Sequence, residues 1–160
     1  DLAQNVQQVK DTMVSNRTAQ GWSSNVPTVV VTGTAITGGV AEAAIVTGGE
    51  TLIFTLTNGT WDADVLAQLE ALTEADLLNG SASGAGSFDT EVSIDFATDC
   101  VRTGDTVLTL TLPATAGYSI TGDETVTFGI PINLVQINGN AITASGNMTA
   151  SPTTFVITNA

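Results

Sequence analysis

The sequence predicts a mainly β protein, an antiparallel β-sandwich with one inserted helix and an N-terminal arm. Apolar and polar residues alternate strictly in several short segments, which is typical of strands with one buried and one solvated face. Gly-rich and Asn-Gly sequences separate those segments and mark turns. The length of 160 residues fits one domain, and a hydrophobic content of 42 % is sufficient for a packed core. We assign residues 27–160 to the sandwich and residues 1–26 to the arm.

The arm differs from the rest of the chain because its apolar residues follow helical spacing. The apolar stripe consists of Leu2, Val6, Val9 and Met13. The stripe is narrow, and two interpretations stay open. The arm is either a short helix or frayed end belonging to its own domain, or an assembly arm that docks on a neighbouring subunit.

The strands are predicted from β-branched content and from period-two alternation. Thr28–Ile36 is rich in β-branched residues and predicts a first strand. Four further strands are predicted at Thr51–Thr57, Glu91–Ala97, Asp105–Leu112 and Glu124–Ile130. Each places three large apolar side chains on one face, namely Leu52/Phe54/Leu56, Val92/Ile94/Phe96, Leu108/Leu110/Leu112 and Val126/Phe128/Ile130. Weaker strands are predicted at Ile132–Ile137, which runs into the turn Asn138–Gly139, and at Thr153–Thr158. About seven strands over about 130 residues are typical of a sandwich of two sheets.

One helix is predicted between these strands, over residues 62–79. Its inner face is marked by Val65, Leu66, Leu69 and Leu72. Asp62 or Asp64 can cap its first turn, because the N-terminus of a helix favours a carboxylate. Thr73–Asp76 predicts the start of a further helical turn.

The charge distribution excludes two classes of partner. The chain carries 3 basic and 16 acidic residues, a net charge of −13. Two of the acidic residues, Asp1 and Asp11, precede Gly21. All the others follow it, together with a single basic residue, Arg102. So acidic a body repels phosphate backbones and anionic lipid surfaces. We therefore expect neither nucleic acid nor a membrane as partner.

The residues offer little to catalysis. The chain has no histidine, so the usual nucleophilic triads and zinc sites are not available. Paired carboxylates can hydrolyse glycosides, and the local pairs are Asp62/Asp64, Asp95/Asp99 and Asp123/Glu124. We interpret these as helix caps and turn residues, and Cys100 as a packing residue. Calcium stays an alternative cofactor, because acidic loops supply oxygen ligands. No catalytic, cofactor-binding or metal residue is assigned.

Three segments together carry a resemblance to a known family. They are GETLIFTLTNGTW at 49–61, VRTGDTVLTLTLP at 101–113 and GYSITGDETVTFGIP at 117–131. From Val29 to Thr158 the chain resembles the immunoglobulin-like modules of phage virion structural proteins and of some bacterial surface proteins. The resemblance implies a structural role and no catalytic residues. Tyr118 precedes an acidic turn, and we interpret it as a corner residue whose hydroxyl bonds nearby backbone.

We therefore expect a non-enzymatic structural subunit of a viral particle, either a phage capsid decoration or cement protein or a tail-associated protein. Its expected partners are copies of itself and a major capsid or tail protein, and its expected location is the virion. One alternative is a secreted filament, pilus-like or surface-layer subunit, extracellular or at the cell surface, that assembles by strand addition. Another is a carbohydrate-binding module, which requires an exposed Trp22 or Trp61.

Overall fold

The computed structural model describes residues 4–6, 8–9, 26–33, 37–38, 49–80, 88, 92–114 and 122–159. These residues form a mainly β fold, as predicted. Its strands are β1 (Thr28–Gly33), β2 (Thr37–Gly38), β3 (Thr51–Leu56), β4 (Thr60–Trp61), β5 (Leu78–Gly80), β6 (Cys100–Arg102), β7 (Val107–Thr111), β8 (Glu124–Phe128), β9 (Val135–Ile137), β10 (Asn140–Ala141), β11 (Thr149–Ser151) and β12 (Thr154–Asn159). The helices whose two ends lie within the described residues are α1 (Val65–Glu70), α2 (Glu74–Leu77) and α3 (Phe96–Asp99), with a 3-10 turn at Ile132–Leu134.

The described strands form three sheets. A five-stranded sheet has the order β11-β1-β3-β7-β6, a four-stranded sheet the order β2-β12-β8-β5, and a three-stranded sheet the order β10-β9-β4. Most neighbouring strands are antiparallel, but β1 pairs with β11 and β2 pairs with β12 in parallel. The prediction of a purely antiparallel fold is wrong for these two pairs. Each joins strands far apart in sequence, so no hairpin constrains their direction.

One hydrophobic core joins the five-stranded and four-stranded sheets. All four predicted apolar faces are buried in it. Phe54 of β3 packs edge-on against Phe128 of β8, with ring centroids 5.8 Å apart and an interplanar angle of 89°. Phe128 also contacts Phe155 of β12, at 5.4 Å between centroids. Phe54 and Phe128 are buried and Phe155 is half-buried, and a fully buried side chain of this kind stabilises the fold by about 1.5–3 kcal/mol. The two sheets therefore contact each other through these rings.

The strand predicted at Glu91–Ala97 is not present. Glu91 lies outside the described residues, residues 92–95 form no strand, and α3 begins at Phe96. The side chains of Val92, Ile94 and Phe96 are nevertheless buried. The chain turns into α3 because Asp95 occupies the N-cap position, where its side chain accepts a hydrogen bond from the Ala97 N–H.

The helix predicted over 62–79 is two short helices followed by β5. The predicted further turn at Thr73 is confirmed, since Thr73 occupies the N-cap position of α2. Of the predicted inner face, Val65 and Leu69 are buried and Leu66 is half-buried. Leu72 is 36 % exposed, so its assignment to that face is wrong. The reason is that α1 ends at Glu70, before the residue that would continue the stripe.

The remaining strands follow the prediction with shifted boundaries. The first strand is confirmed over Thr28–Gly33, while residues 34–36 lie outside the described ranges. The strand expected at 132–137 starts only at Val135, because the 3-10 turn precedes it. The turn Asn138–Gly139 is confirmed. Its φ angles of 52° and 76° are those of a two-residue hairpin turn, which here joins β9 to β10.

Candidate functional site

The outward face of the five-stranded sheet is the surface best suited to contact another molecule. Side chains alternate across each strand, so every second residue points away from the core. We call the outward set the threonine face. It consists of Thr28, Val30, Thr32, Thr51, Ile53, Thr55, Thr57, Val101, Val107, Thr109, Thr111, Thr149 and Ser151. Eight are threonine, one is serine, four are aliphatic and none is charged.

The strand register arranges these side chains in rows across the sheet. Thr55 lies between Val30 of β1 and Val107 of β7. The next row runs from Thr32 through Ile53 and Thr109 to Val101. Cross-strand pairs of β-branched side chains favour strand pairing. Because the rows consist of threonine, valine and isoleucine, the surface presents hydroxyl and methyl groups side by side.

Several of these groups are open to solvent. Val30 is 37 % exposed and Val101 is 54 % exposed. Two hydroxyl pairs lie on this surface. Oγ1 of Thr28 is 2.6 Å from Oγ1 of Thr57, and Oγ1 of Thr109 is 3.4 Å from Oγ1 of Thr103, which lies just beyond the face in the turn after β6. Hydroxyl groups can donate and accept, so the face offers both functions to a neighbour.

The electrostatics of the threonine face contrast with those of the chain. The protein carries a net charge of −13, yet none of its acids lies in this set. The turn between β6 and β7 carries an ion pair, Arg102–Asp105, with 3.1 Å between Nη2 and Oδ1. Burying an unpaired charge at an interface is costly, and this face would bury none. It can therefore be covered by an uncharged protein surface without an electrostatic penalty.

The N-terminal arm is described in part. Residues 4–6 and 8–9 are helical. Val6 is 47 % exposed and Val9 is 58 % exposed, while Leu2 and Met13 lie outside the described residues. The described half of the predicted apolar stripe therefore faces solvent and is accessible to a neighbour.

The first carboxylate pair serves the fold. Asp62 Oδ1 accepts from the Asp64 N–H at 2.9 Å, and Asp62 Oδ2 accepts from Gln136 Nε2 at 2.6 Å. The backbone hydrogen bond from Asp64 is the largest of the effects that lower the pKa of Asp62, followed by that of Gln136, with the charge of Arg102 adding to them. The ionised Asp62 thus links the start of α1 to β9. Asp64 occupies the N-cap position of α1 without a side-chain capping bond.

The second pair caps α3. Asp95 Oδ1 accepts from the Ala97 N–H at 3.0 Å, and Asp99 Oδ2 accepts from the Asp95 N–H at 2.9 Å. Hydrogen bonding by the Thr98 side chain and then by the Ala97 N–H lowers the pKa of Asp95. Asp95 and Asp99 are therefore capping residues of α3, a helix that the sequence analysis did not predict.

The third pair is divided between the surface and the core. Asp123 is exposed, whereas Glu124 is 0 % exposed and lies on the inward face of β8. Glu124 Oε1 accepts from the Phe88 N–H at 2.8 Å. Its interpretation as a turn residue is wrong. The signal was present, because Glu124 shares the alternation of Val126 and Phe128.

Cys100 and Trp61 both belong to the core. Burial raises the pKa of the Cys100 thiol to about 11, so the thiol is protonated at neutral pH and is a poor nucleophile. Trp61 is 1 % exposed and, with Cys100, lines an apolar cavity of about 30 Å³. Trp61 therefore offers no platform for a sugar, and that part of the carbohydrate hypothesis is wrong. Trp22 and Tyr118 lie outside the described residues.

Neither a metal cluster nor a membrane-spanning helix is found in the described ranges. No group of three or more His, Cys, Asp and Glu side chains there could hold a metal ion. No helix within those ranges is long and apolar enough to cross a membrane. Compared with known proteins, the chain matches no protein-family model, no curated protein and no solved structure.

Proposed function

We propose that the protein is a non-enzymatic structural subunit of a viral particle, a phage capsid decoration or cement protein or a tail-associated protein. In this proposal the sandwich is of the immunoglobulin-like type and contacts neighbouring subunits through the threonine face. The observation that carries it is that none of the described residues of that face is charged, in a chain of net charge −13. Subunits this acidic repel one another through most of their surface, so an uncharged face is the suitable place for close contact.

The size of the face supports a role in a repeated assembly. The five strands hold 6, 6, 5, 3 and 3 residues, 23 in all, and at about 3.4 Å per residue and about 4.8 Å between strands they cover roughly 350–400 Å². A standard interface buries about 800 Å² on each partner. The threonine face alone would therefore give a weak contact. The exposed Val6 and Val9 of the arm supply a second one, and two linked contacts bind far more tightly than either by itself.

The alternative of a filament or surface-layer subunit differs in how neighbours join. Strand addition needs a free sheet edge. The described five-stranded sheet ends at β11 and at β6, which have three residues each. Short edge strands are a common device against edge-to-edge pairing. Contact through the face is therefore favoured over pairing at these two edges.

The test places a charge at the centre of the threonine face. We expect Thr55→Lys to abolish incorporation of a tagged copy into particles, because the lysine would be buried without a partner. Lysine also reduces the net negative charge, so the loss cannot come from added repulsion between acidic subunits. Thr127→Lys is the matched control, since Thr127 points outward from β8 in the other sheet. The measurement is the fraction of tagged protein that sediments with particles from the producing cells.

Two further experiments complete this test. Immunogold electron microscopy of the sedimented material distinguishes capsids, tails and cell-surface filaments. A chain without residues 1–25 keeps Val26, whose carbonyl accepts from Asn58 Nδ2 at 3.3 Å, and tests the arm separately. Equal incorporation of all variants would contradict the role of the face, and label confined to soluble protein would contradict the structural role itself.

A further inference from the structure

The chain contains three Asn-Gly sequences, Asn58–Gly59, Asn79–Gly80 and Asn138–Gly139. Asn-Gly is the dipeptide most prone to intramolecular attack by a backbone nitrogen on the asparagine side chain, because glycine has no side chain to obstruct it. The attack requires the peptide between the two residues to rotate. The surroundings of the glycine therefore decide which of the three sequences can react in the folded protein.

Two of the glycines are enclosed by neighbouring atoms. A Cβ built on Gly59 would lie 2.6 Å from Val135 Cγ1 and 2.8 Å from the Gln136 carbonyl oxygen. A Cβ built on Gly80 would lie 2.5 Å from Glu124 Oε1 and 3.0 Å from the Phe88 nitrogen. Rotation of either peptide would displace these neighbours.

The asparagines before these two glycines are also held. Asn58 Nδ2 donates to the Val26 carbonyl at 3.3 Å and contacts Thr57 Oγ1 at 3.5 Å. Asn79 belongs to β5 and is paired with Thr127 of β8. Both sequences are therefore restrained at the asparagine as well as at the glycine.

Asn138–Gly139 is less enclosed, although the Asn138 carbonyl accepts a hydrogen bond from the exposed Asn140 Nδ2 at 3.3 Å. Outside residues 138–140, no heavy atom lies within 4 Å of a Cβ built on Gly139, and Asn138 is exposed. The two residues form the turn into β10, a strand of two exposed residues, so distortion of the turn disturbs no buried side chain. The turn also borders a polar surface groove of about 370 Å³ that Asn58 and Gly59 line as well, so access to water does not separate these two sequences, whereas the enclosure of the glycine does.

We propose that Asn138 is a site of spontaneous deamidation. The Gly139 nitrogen attacks Cγ of Asn138, the new C–N bond closes a five-membered succinimide, and Nδ2 leaves as ammonia with the proton from Gly139. Water then opens the ring at either carbonyl and gives aspartate or isoaspartate. Each product adds one negative charge beside β9. Isoaspartate also inserts an extra carbon into the backbone, which prevents the two-residue turn and releases β10.

The experiment compares the three asparagines within one molecule. Intact protein is kept in mildly alkaline heavy-oxygen water, and peptide mass spectrometry measures incorporation of the oxygen isotope at each position. We expect Asn138 to react several-fold faster than Asn58 and Asn79 in the folded protein. In denaturant the three rates should converge, because only the fold distinguishes them. Asn138→Gln, which cannot close the five-membered ring, is the control and should remove the fast product.

Two outcomes would overturn the proposal. One is a rate at Asn58 or Asn79 that equals or exceeds that at Asn138 in the folded protein. The other is an unmodified Asn138 in the folded protein under conditions in which the denatured chain reacts. Neither outcome bears on the threonine face, because Asn138 lies in the three-stranded sheet.

Discussion

Strand β8 and residues 92–96 bury the same kind of side chain on very different backbones. In β8, Val126 and Phe128 point inward, and the strand pairs with β12 on one side and with β5 on the other. In residues 92–96, Val92, Ile94 and Phe96 are also buried. There residues 92–95 pair with no described strand, and the chain enters α3 at Phe96.

The difference lies in the outward residues. Those of β8 are Thr125 and Thr127, whose β-branched side chains favour extended backbone. Those of the other segment are Ser93 and Asp95, which are of the types that hydrogen-bond nearby backbone and so compete with strand pairing. Asp95 does so by accepting from the Ala97 N–H. In these two segments the inward residues determine which side chains are buried, and the outward residues determine which backbone conformation the segment adopts.

The largest effect is expected from removing a buried ring in either region. Phe128→Ala and Phe96→Ala should each lower the free energy of unfolding by about 3–5 kcal/mol, because both rings are buried whatever their secondary structure. Val156→Ala, a change at a 48 % exposed site, should stay within about 0.5 kcal/mol of the parent chain. Equilibrium denaturation measures all three. A Phe96→Ala cost as small as that of Val156→Ala would show that strand pairing, and not burial, stabilises these positions.

The same distinction explains how much of the fold the sequence predicts. Alternation identifies Val92, Ile94 and Phe96 as core residues, because burial follows from periodicity alone. It does not identify their backbone, since the cap made by Asp95 depends on local competition for hydrogen bonds. The parallel pairing of β1 with β11 joins Val29 to Ala150, and contacts at such separation leave no local pattern.

The candidate site was missed for a related reason. The outward threonines of β3 and β7 are visible in the sequence as residues that alternate with the core. That they form one continuous surface with β1 depends on the order of strands in the sheet. Sequence spacing does not specify this order. The turn at Asn138–Gly139 was predicted correctly because its chemistry is entirely local.

A smaller effect on the free energy of unfolding is expected at Glu124, the inward-facing first residue of β8. Glu124→Ala should lower the free energy of unfolding by about 1–3 kcal/mol, because the buried Phe88 N–H loses its acceptor. Glu124→Gln keeps an acceptor oxygen of similar position and should lose less. Denaturation of the two variants at neutral pH provides the comparison. Equal losses would mean that the charge of Glu124, and not its hydrogen bond to Phe88, stabilises the fold.

The smallest effect is expected at Asp95, the outward residue of segment 92–96 that caps α3. Asp95→Ala should lower the unfolding midpoint in denaturant by less than either phenylalanine variant, since it removes one exposed capping interaction. Asp64→Ala is the matched control. Asp64 holds the same N-cap position on α1 and makes no side-chain capping bond, so its loss should be smaller still.

The pH dependence of the stability lost in Asp95→Ala identifies the cause of that loss. The pKa of Asp95 lies below its ordinary value of 3.8, because hydrogen bonding by the Thr98 side chain and the Ala97 N–H favours the ionised carboxylate. A depressed pKa in the folded state means that the stabilisation is present in full above 3.8 and is lost as the pH falls through the lowered value. The difference between the parent chain and Asp95→Ala should therefore be constant near neutral pH and shrink in acid. A difference that does not change with pH would assign the loss to packing. In that case the outward carboxylate would not be what separates residues 92–96 from β8.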